Sequence, residues 1–295
     1  MTVGPLPVGV VGVGSLGFHH ARLYAALPCV HLVGVHDSSP ERAEEVARAC
    51  GTRAFGALDA LLEAVHAVSV AVPARAHHAV GLAALERGRH VLMEKPLAAT
   101  VGEATALVAA ADRARVVLQP GHVERFNPSL VAVKSSLGAP RRLRFRRLAP
   151  FRRRGADVSV VLDLMVHDLD LALWLDGGPV TGVEASAAAV LGESADVATA
   201  RVTFASGCVA EFEASRVADR VVRTLEAQTA GGSVVLDLAP AAHGAEPLGE
   251  EIAGFVRAVR GEAAPAVPAR AGLAAVELAW RVLAAASARS PASAA

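Results

Sequence analysis

The sequence predicts an α/β protein, with a doubly wound parallel sheet in the N-terminal part and an α+β domain with a mostly antiparallel sheet in the C-terminal part. Three observations support this prediction. Apolar strands alternate with helical stretches up to about residue 120, a glycine-rich turn follows the first strand, and the later strands follow one another without intervening helices. We therefore expect two domains, residues 1–120 and 121–295.

The first strand is predicted from VGVVGVG at residues 8–14, a continuous apolar run that is typical of a strand buried on both faces. The second helix is predicted to begin with Ser39 as N-cap and Pro40 in its first turn. Further strands are predicted at residues 30–37, 66–73, 89–94 and 115–120, and further helices near 15–27, 75–87 and 100–113. This alternation favours a parallel sheet.

A glycine-rich motif joins the first strand to the first helix and runs from Gly12 through Gly14, Ser15 and Leu16 to Gly17. Gly12 permits a tight turn, Gly14 lets the backbone approach a pyrophosphate, and Gly17 allows close packing of helix on strand. The helix N-terminus offers amides and partial positive charge to phosphates. Between a strand and a helix, this motif predicts the dinucleotide-binding turn of a Rossmann domain.

Asp37 ends the second strand, twenty residues after Gly17, where a carboxylate accepts hydrogen bonds from the adenosine ribose hydroxyls. This position favours NAD over NADP. NADP remains the alternative cofactor, because Arg42 is nearby and its guanidinium can hold a 2′-phosphate.

The second half of the sequence is predicted to contain consecutive strands followed by two helices. The strands are predicted at residues 140–148, 180–190, 196–205, 207–217, 221–230 and 233–238, and the helices near 247–260 and 271–288. No apolar run reaches the roughly 18 residues of a membrane helix, and the N-terminus lacks the basic start of a signal peptide.

The net charge and the cysteines indicate which binding partners and which cellular compartment to expect. The formal net charge is zero, which gives no general reason to bind nucleic acid or a membrane. The three cysteines are widely spaced, which argues against disulfides and a metal site and suits a reducing cytoplasm. We expect a cytoplasmic protein without a bound metal.

Eight arginines lie in RRLRFRRLAPFRRR at residues 141–154. Their alternation with apolar residues fits one solvated face of a strand. They also fit a cluster that grips a phosphorylated substrate, for which we choose Arg147 and Arg154, while nucleic acid is the least favoured partner.

The segment LDLMVHDLDLALWL at residues 162–175 carries a polar stripe on an apolar helix. Asp163, His167 and Asp170 lie at positions i, i+4 and i+7, and so share one helix face. Asp170 is either a surface residue or a support for the others. Asp168 is expected to be satisfied by backbone groups and solvent. His19 and His20, in the first helix, are expected at the surface or at an interface.

The segment at residues 72–98 resembles the signature of the Gfo/Idh/MocA oxidoreductase family. The likeness rests on Pro73 and His77 at the spacing P-x-x-x-H, on Glu94-Lys95-Pro96, and on Asp163-x-x-x-His167 downstream. Residues 121–128 and 157–170 resemble the members of that family that act on nucleotide sugars. SRVADRVVR at residues 215–223 departs from the pattern of the better-known members.

The resemblance implies an enzyme that binds NAD through Pro73, His77 and Glu94, with Lys95 and His167 facing the nicotinamide from opposite domains. It implies hydride transfer from a secondary hydroxyl of a sugar, at C3 of a UDP-linked N-acetylhexosamine such as UDP-N-acetylglucosamine. The 3-oxo product would serve amino-sugar synthesis for lipid A or polysaccharide. The resemblance also implies a homodimer or homotetramer formed through the C-terminal sheet.

Oxidation of a hydroxyl needs a group that takes its proton. We favour His167 as this base, with Asp163 orienting it and Lys95 stabilising negative charge on the reacting oxygen. The reverse assignment, with Lys95 as base and His167 positioning, remains open. Arg125 and Asn127 lie just past the domain junction, where they either contact the substrate or have a hinge or packing role.

Two other functions remain open. One is a dehydrogenase of a free polyol or sugar such as inositol or glucose, which offers no anion for the arginines to hold. The other is a non-catalytic sensor of NAD(H), which would not need Lys95, Asp163 and His167.

Overall fold

The computed structural model describes residues 4–151, 157–239 and 247–289, which form two compact units. The first unit combines the residues up to His122 with residues 247–273, and the second combines residues 123–239 with 274–289. These units differ from the predicted domains in one respect, because residues 247–273 belong to the first unit. There Ile252, Phe255 and Val256 enter its hydrophobic core.

The first unit contains a six-stranded parallel sheet in the order β3-β2-β1-β4-β5-β6. Its strands are β1 (Leu6–Val11), β2 (Val30–His36), β3 (Arg53–Ala54), β4 (Ala67–Val70), β5 (His90–Glu94) and β6 (Leu118–Gly121). The order reverses between β1 and β4, which confirms the doubly wound sheet. Ligands of such sheets bind outside the carboxyl ends of the strands at this reversal.

The helices lie between the strands of the first sheet, on either side of β7, and after the last strand of the second sheet. They are α1 (Ser15–Ala26), α2 (Pro40–Cys50), α3 (Leu58–Ala64), α4 (His77–Glu86), α5 (Val101–Ala114), α6 (Pro128–Leu137), α7 (Val166–Asp176), α8 (Pro247–Val259) and α9 (Ala269–Arg289). The predicted start of α2 is confirmed, because the Ser39 hydroxyl accepts a hydrogen bond from the Arg42 amide and Pro40 is the first helical residue. α5 begins with a capping box formed by Thr100 and Glu103.

The second unit contains a six-stranded sheet in the order β12-β11-β7-β10-β9-β8. Its strands are β7 (Pro140–Leu148), β8 (Val180–Ala188), β9 (Val197–Phe204), β10 (Val209–Ser215), β11 (Val222–Thr229) and β12 (Gly232–Asp237). Neighbouring strands are antiparallel except for β7 and β10, which are parallel. The sheet is therefore mostly antiparallel, as predicted.

Strand β7 explains most of the arginine run. Leu143 and Phe145 are buried on one face, whereas Arg142, Arg144 and Arg146 point to the other face. Arg142 donates to Glu211 at 2.7 Å and Arg146 donates to Glu213 at 2.8 Å, both on the neighbouring β10. These outward arginines therefore belong to a solvated strand face, as their alternation predicts.

The helix that carries the polar stripe is not regular. Residues Val161–Met165 form a π-helical turn, in which the Val166 amide donates to the Val161 carbonyl five residues earlier. The expected single α-helical face through Asp163, His167 and Asp170 was therefore wrong in its geometry. A wider turn at Asp163 rotates this residue relative to the two that follow in α7.

Helix α9 bears on the expectation that no apolar run reaches the length of a membrane helix. Residues Ala269–Ala288 are long and apolar enough to cross a membrane by length and composition alone, which is weak evidence because core helices pass the same test. Val276, Leu278 and Val282 of this helix are buried in the protein.

Candidate active site

The glycine turn after β1 has the geometry that the motif predicts. Gly12 has a φ of 79°, and a Cβ there would lie 2.8 Å from the Ala71 carbonyl oxygen, so only glycine fits. A Cβ on Gly17 would overlap the Gly12 carbonyl oxygen. Apart from Gly14 itself and its neighbours in the chain, no atom of the described residues lies within 4 Å of the place where a Cβ of Gly14 would stand. The fold explains two of the glycines, and the third borders open space that suits a ligand.

Ser15 and Leu16 are the first two residues of α1, so their amides belong to the helix N-terminus. Ser15 is exposed and Leu16 is half-buried. Amides at such a terminus, beside the open space at Gly14, can cradle the pyrophosphate of a dinucleotide.

Asp37 lies at the carboxyl end of β2, as predicted, and it also holds the glycine turn. One carboxylate oxygen accepts from the Val13 amide at 2.7 Å, and the other accepts from the Ser39 amide at 3.0 Å. Arg42 donates through Nε to the Val13 carbonyl at 2.8 Å and through a terminal nitrogen to Glu45 at 2.7 Å. Arg42 thus already serves as a brace for the turn, which favours NAD over NADP.

His77 ties together two turns at the carboxyl edge of the first sheet. It is buried, and its ring nitrogens lie 3.0 Å from the Val72 carbonyl oxygen and 2.7 Å from the Pro96 carbonyl oxygen. The Lys95-Pro96 peptide bond is cis. Pro73 follows Val72 and is exposed. His77 therefore holds the backbone on both sides of the site, and Lys95 is half-buried beside it.

Glu94 belongs to a buried hydrogen-bonded cluster that the sequence did not predict. Its Oε1 lies 3.0 Å from His20 Nε2, and the other ring nitrogen of His20 lies 3.0 Å from the Ser69 hydroxyl. Ser69 is in turn 2.9 Å from the Tyr24 hydroxyl. The expectation of a surface or interface role for His20 was wrong, because its side chain is fully buried.

Asp163 and His167 are both half-buried in the second unit, Asp163 in the π-helical turn and His167 in the first turn of α7. Such bulges are frequent at functional sites in helices. Nearby, Asp170 is buried and accepts two hydrogen bonds from Arg125, at 2.8 and 2.6 Å. Asp170 therefore supports the helix through an ion pair and does not lie on its solvent face.

Arg147 does not fit the predicted role in gripping a diphosphate. It is 3% exposed, donates to both oxygens of Asp168, and also donates to Glu124 at 2.8 Å. The two carboxylates raise the pKa of Arg147 against the opposing effect of burial. Asp168 was expected to face backbone and solvent, but it too is buried, and burial raises the pKa of its carboxyl despite the arginine.

Two other predicted substrate contacts also have internal partners. Arg125 pairs with Asp170 and lies 5.3 Å from the centre of the Trp174 ring. Asn127 is buried, caps α6 by accepting from the Ser129 amide, and donates to Glu124 and the Leu238 carbonyl. Arg125, Asn127 and Arg147 are therefore engaged within the protein and are not among the substrate contacts that we propose. Arg154 lies outside the described residues.

Over the described ranges, no group of three or more His, Cys, Asp or Glu side chains is placed to hold a metal ion. The groups at the carboxyl ends of the first sheet's strands are instead backbone amides, the Asp37 and Glu94 carboxylates, the His77 imidazole and the Lys95 side chain. Such a set fits a dinucleotide, and Lys95 adds a group that can exchange a proton.

Comparison with known proteins agrees with this arrangement. Residues 6–122 match the oxidoreductase family with an NAD-binding Rossmann fold (GFO_IDH_MocA), and residues 129–239 match the GFO/IDH/MocA C-terminal domain. The chain is 44% identical over 218 residues to UDP-N-acetylglucosamine 3-dehydrogenase of Acidithiobacillus ferrooxidans, covering 74% of this chain and 69% of that protein. It is 28% identical over 226 residues to scyllo-inositol 2-dehydrogenase (NAD(+)) of Bacillus subtilis, covering 70% and 66%.

The solved structure of the Acidithiobacillus ferrooxidans UDP-N-acetylglucosamine 3-dehydrogenase superposes on this chain with a TM-score of 0.90 at 36% identity. The match covers 96% of this chain and 98% of that one. The chain therefore belongs to the Gfo/Idh/MocA family of oxidoreductases, whose N-terminal domain is an NAD-binding Rossmann fold.

Proposed function

We propose that the chain is an NAD-dependent dehydrogenase that oxidises the C3 hydroxyl of UDP-N-acetylglucosamine to a ketone. The proposed substrate rests on the 44% identity to a UDP-N-acetylglucosamine 3-dehydrogenase, and a structural match over 96% of this chain supports it. A 3-oxo sugar is the kind of ketone that an aminotransferase converts into an amino sugar. Lipid A or polysaccharide synthesis would use that product.

The geometry supports the cofactor half of this proposal. The open space at Gly14 and the amides of α1 suit a pyrophosphate, and Asp37 suits an adenosine ribose. When bound, NAD supplies the acceptor for the hydride. We propose that Pro73, His77 and Glu94 line the nicotinamide end.

The protein must move the hydroxyl proton as the hydride leaves the carbon. We propose that His167 takes this proton, that Asp163 orients the imidazole, and that Lys95 stabilises the negative charge that develops on the oxygen. In the alternative assignment, Lys95 is the base and His167 binds the hydroxyl.

The first experiment measures NADH formation by the purified full chain. The substrates are UDP-N-acetylglucosamine, UDP-glucose, glucose and inositol, each with and without a carbonyl trap that draws an unfavourable oxidation forward. We expect NADH from UDP-N-acetylglucosamine. A response to inositol alone would support the second candidate, which the similarity to the inositol dehydrogenase favours. NAD binding without turnover of any sugar would support a sensor.

Gly14 and Gly17 offer a matched test of the cofactor site. Gly14→Ala should fold normally, because its Cβ would meet no atom of the described residues within 4 Å. We expect it to weaken NAD binding by about tenfold, since the methyl group enters the space for the pyrophosphate. Gly17→Ala should instead lower the melting temperature, because its Cβ would overlap the Gly12 carbonyl oxygen. Calorimetric titration with NAD and thermal unfolding of both variants check this, and unchanged NAD affinity in Gly14→Ala contradicts it.

We propose that the chain forms a homodimer or homotetramer through the outer face of its second sheet. This face carries Arg144 and Arg201 alongside Glu184 and Glu211, in a shallow groove. Mixed charges of this kind can pair with a second copy turned about a two-fold axis. Light scattering of the purified protein tests the assembly, and Arg144→Glu should weaken it.

We also propose that the enzyme works in the cytoplasm, where its three free cysteines stay reduced.

A further inference from the structure

A chain of buried hydrogen bonds leads from the core of the first unit to Glu94. Tyr24, Ser69 and His20 are each fully buried, and the successive contacts are 2.9, 3.0 and 3.0 Å long. A carboxylate only accepts, so His20 Nε2 must donate to Glu94. In a neutral imidazole the other nitrogen then accepts, which makes Ser69 the donor to His20 and leaves Tyr24 as the donor to Ser69.

The protonation of the two ends agrees with this direction. Burial raises the pKa of the Tyr24 phenol, so it stays protonated and can donate. Burial alone would raise the pKa of the Glu94 carboxyl, but the hydrogen bond from His20, together with the charges of Lys95 and His77, opposes it. The pKa of Glu94 is lowered as a result, and its carboxylate can accept.

We propose that His20 is a positioning residue of the cofactor site, which fixes Glu94 as an oriented carboxylate through a one-way hydrogen-bond chain. The inference rests on the proposed function, in which Glu94 lies at the nicotinamide end of NAD. One oxygen of Glu94 is held by His20, and the other accepts from the Lys95 amide at 3.3 Å. Both oxygens are therefore directed by protein groups.

The position of His20 gives this contact a second consequence. His20 lies on α1, whose N-terminus follows the glycine turn, whereas Glu94 ends β5. The His20–Glu94 bond therefore links the element that receives the pyrophosphate to the strand that presents Lys95. We infer that it sets the distance between the two ends of the NAD site within the first unit.

The groups that face Glu94 define what a variant should do. They are His20 from α1, His77 from α4 and Lys95 from the turn after β5, and the backbone of Gly121 in β6 lies beside Glu94. Burial raises the pKa of Glu94, and the hydrogen bond from His20 is the largest effect that lowers it. His20→Leu removes that hydrogen bond, so the pKa of Glu94 should rise. NAD binding should then weaken as the pH falls through this raised pKa and Glu94 takes up a proton.

The experiment compares His20→Leu, His20→Gln and His19→Leu by calorimetric titration with NAD and with NADH over a pH series. His19→Leu makes the same change at the exposed neighbouring position of α1. We expect His20→Leu to bind NAD about tenfold more weakly at neutral pH, with a further loss in acid. The loss should be larger for NAD than for NADH, because only the oxidised nicotinamide is positively charged. His20→Gln keeps a donor and an acceptor, and should recover most of the affinity.

Two results would overturn the proposal. One is a His20→Leu protein that binds NAD with wild-type affinity and pH dependence, and the other is a folded His20→Gln that behaves like His20→Leu. If His20→Leu does not fold, Ser69→Ala tests the same chain, because it removes the donor to His20, and its NAD affinity should fall in the same direction. These readouts need no sugar, so they remain decisive even if UDP-N-acetylglucosamine is not the substrate.

Discussion

Lys95→Met should lower kcat by a factor of about 10²–10⁴, the range that a positioned proton-transfer group contributes. Methionine has nearly the length of the lysine side chain but carries no charge and no exchangeable proton. NAD binding should fall much less than kcat, because the proposed contacts of the pyrophosphate and adenosine are elsewhere, at the glycine turn and Asp37. Initial rates of NADH formation, together with calorimetric titration, test both parts of this expectation.

Lys95→Arg is the matched control, since arginine keeps the positive charge but does not exchange a proton at neutral pH. If Lys95 stabilises negative charge on the oxygen, the arginine variant should be clearly more active than Lys95→Met. If Lys95 is the base, both variants should be equally poor. His167→Asn completes the comparison, because the loss of the acidic limb of the pH profile in this variant would assign the base to His167. Full activity in Lys95→Met would contradict both assignments.

Arg147→Met should destabilise the second unit by about 3–5 kcal/mol, the cost of removing one member of a buried ion network. The methionine would leave Asp168 and Glu124 buried without the guanidinium that now donates to both. Both tryptophans, Trp174 and Trp280, lie in this unit, so tryptophan fluorescence during denaturant unfolding reports on the relevant transition.

Arg142→Met is the control for Arg147→Met. Arg142 pairs with Glu211 on the outer face of the sheet, and its side chain is 51% exposed. Exposed pairs contribute about 0–1 kcal/mol, so this variant should unfold almost like the wild type. Equal losses in the two variants would contradict the role that we assign to burial.

The loss in Arg147→Met should also depend on pH. Burial already raises the pKa of Asp168 in the wild type, and without the arginine nothing of equal strength opposes that effect. A folded-state pKa above the unfolded value adds stability below the unfolded pKa, and this contribution is lost as the pH rises through the folded pKa. The difference from the wild type should therefore be smaller in mildly acidic buffer than in alkaline buffer.

Local patterns were sufficient to predict the glycine turn and every strand of the two sheets except the two-residue β3, which is too short to show a period. The run GVGSLG and Asp37 carry their geometry in a few neighbouring residues, and the structure confirms the sharp turn at Gly12. The alternation of Arg142, Leu143 and Arg144 likewise predicted which β7 side chains face outward. In each case the relevant period or turn depends on residues close together in the sequence.

Contacts between distant residues were not predictable in this way. His20 reaches Ser69 and Glu94, which lie 49 and 74 residues further along the chain. A signal was nevertheless present, because Gly17, His20 and Tyr24 are spaced i, i+3 and i+7 and share the buried face of α1. The same argument applies to Arg147, which has the parity of the buried Leu143 and Phe145 but was chosen for its charge.

The return of residues 247–273 to the first unit has a consequence for biosynthesis. The Rossmann sheet is complete once Gly121 has left the ribosome, yet Ile252 and Phe255, which fill its core, are made more than a hundred residues later. Tyr24 and Leu92 belong to the same core cluster. During that interval a nascent chain has the sheet without part of its cover, so apolar surface is open to chaperones or to other nascent chains. The first unit therefore cannot be completed until most of the second unit has been synthesised.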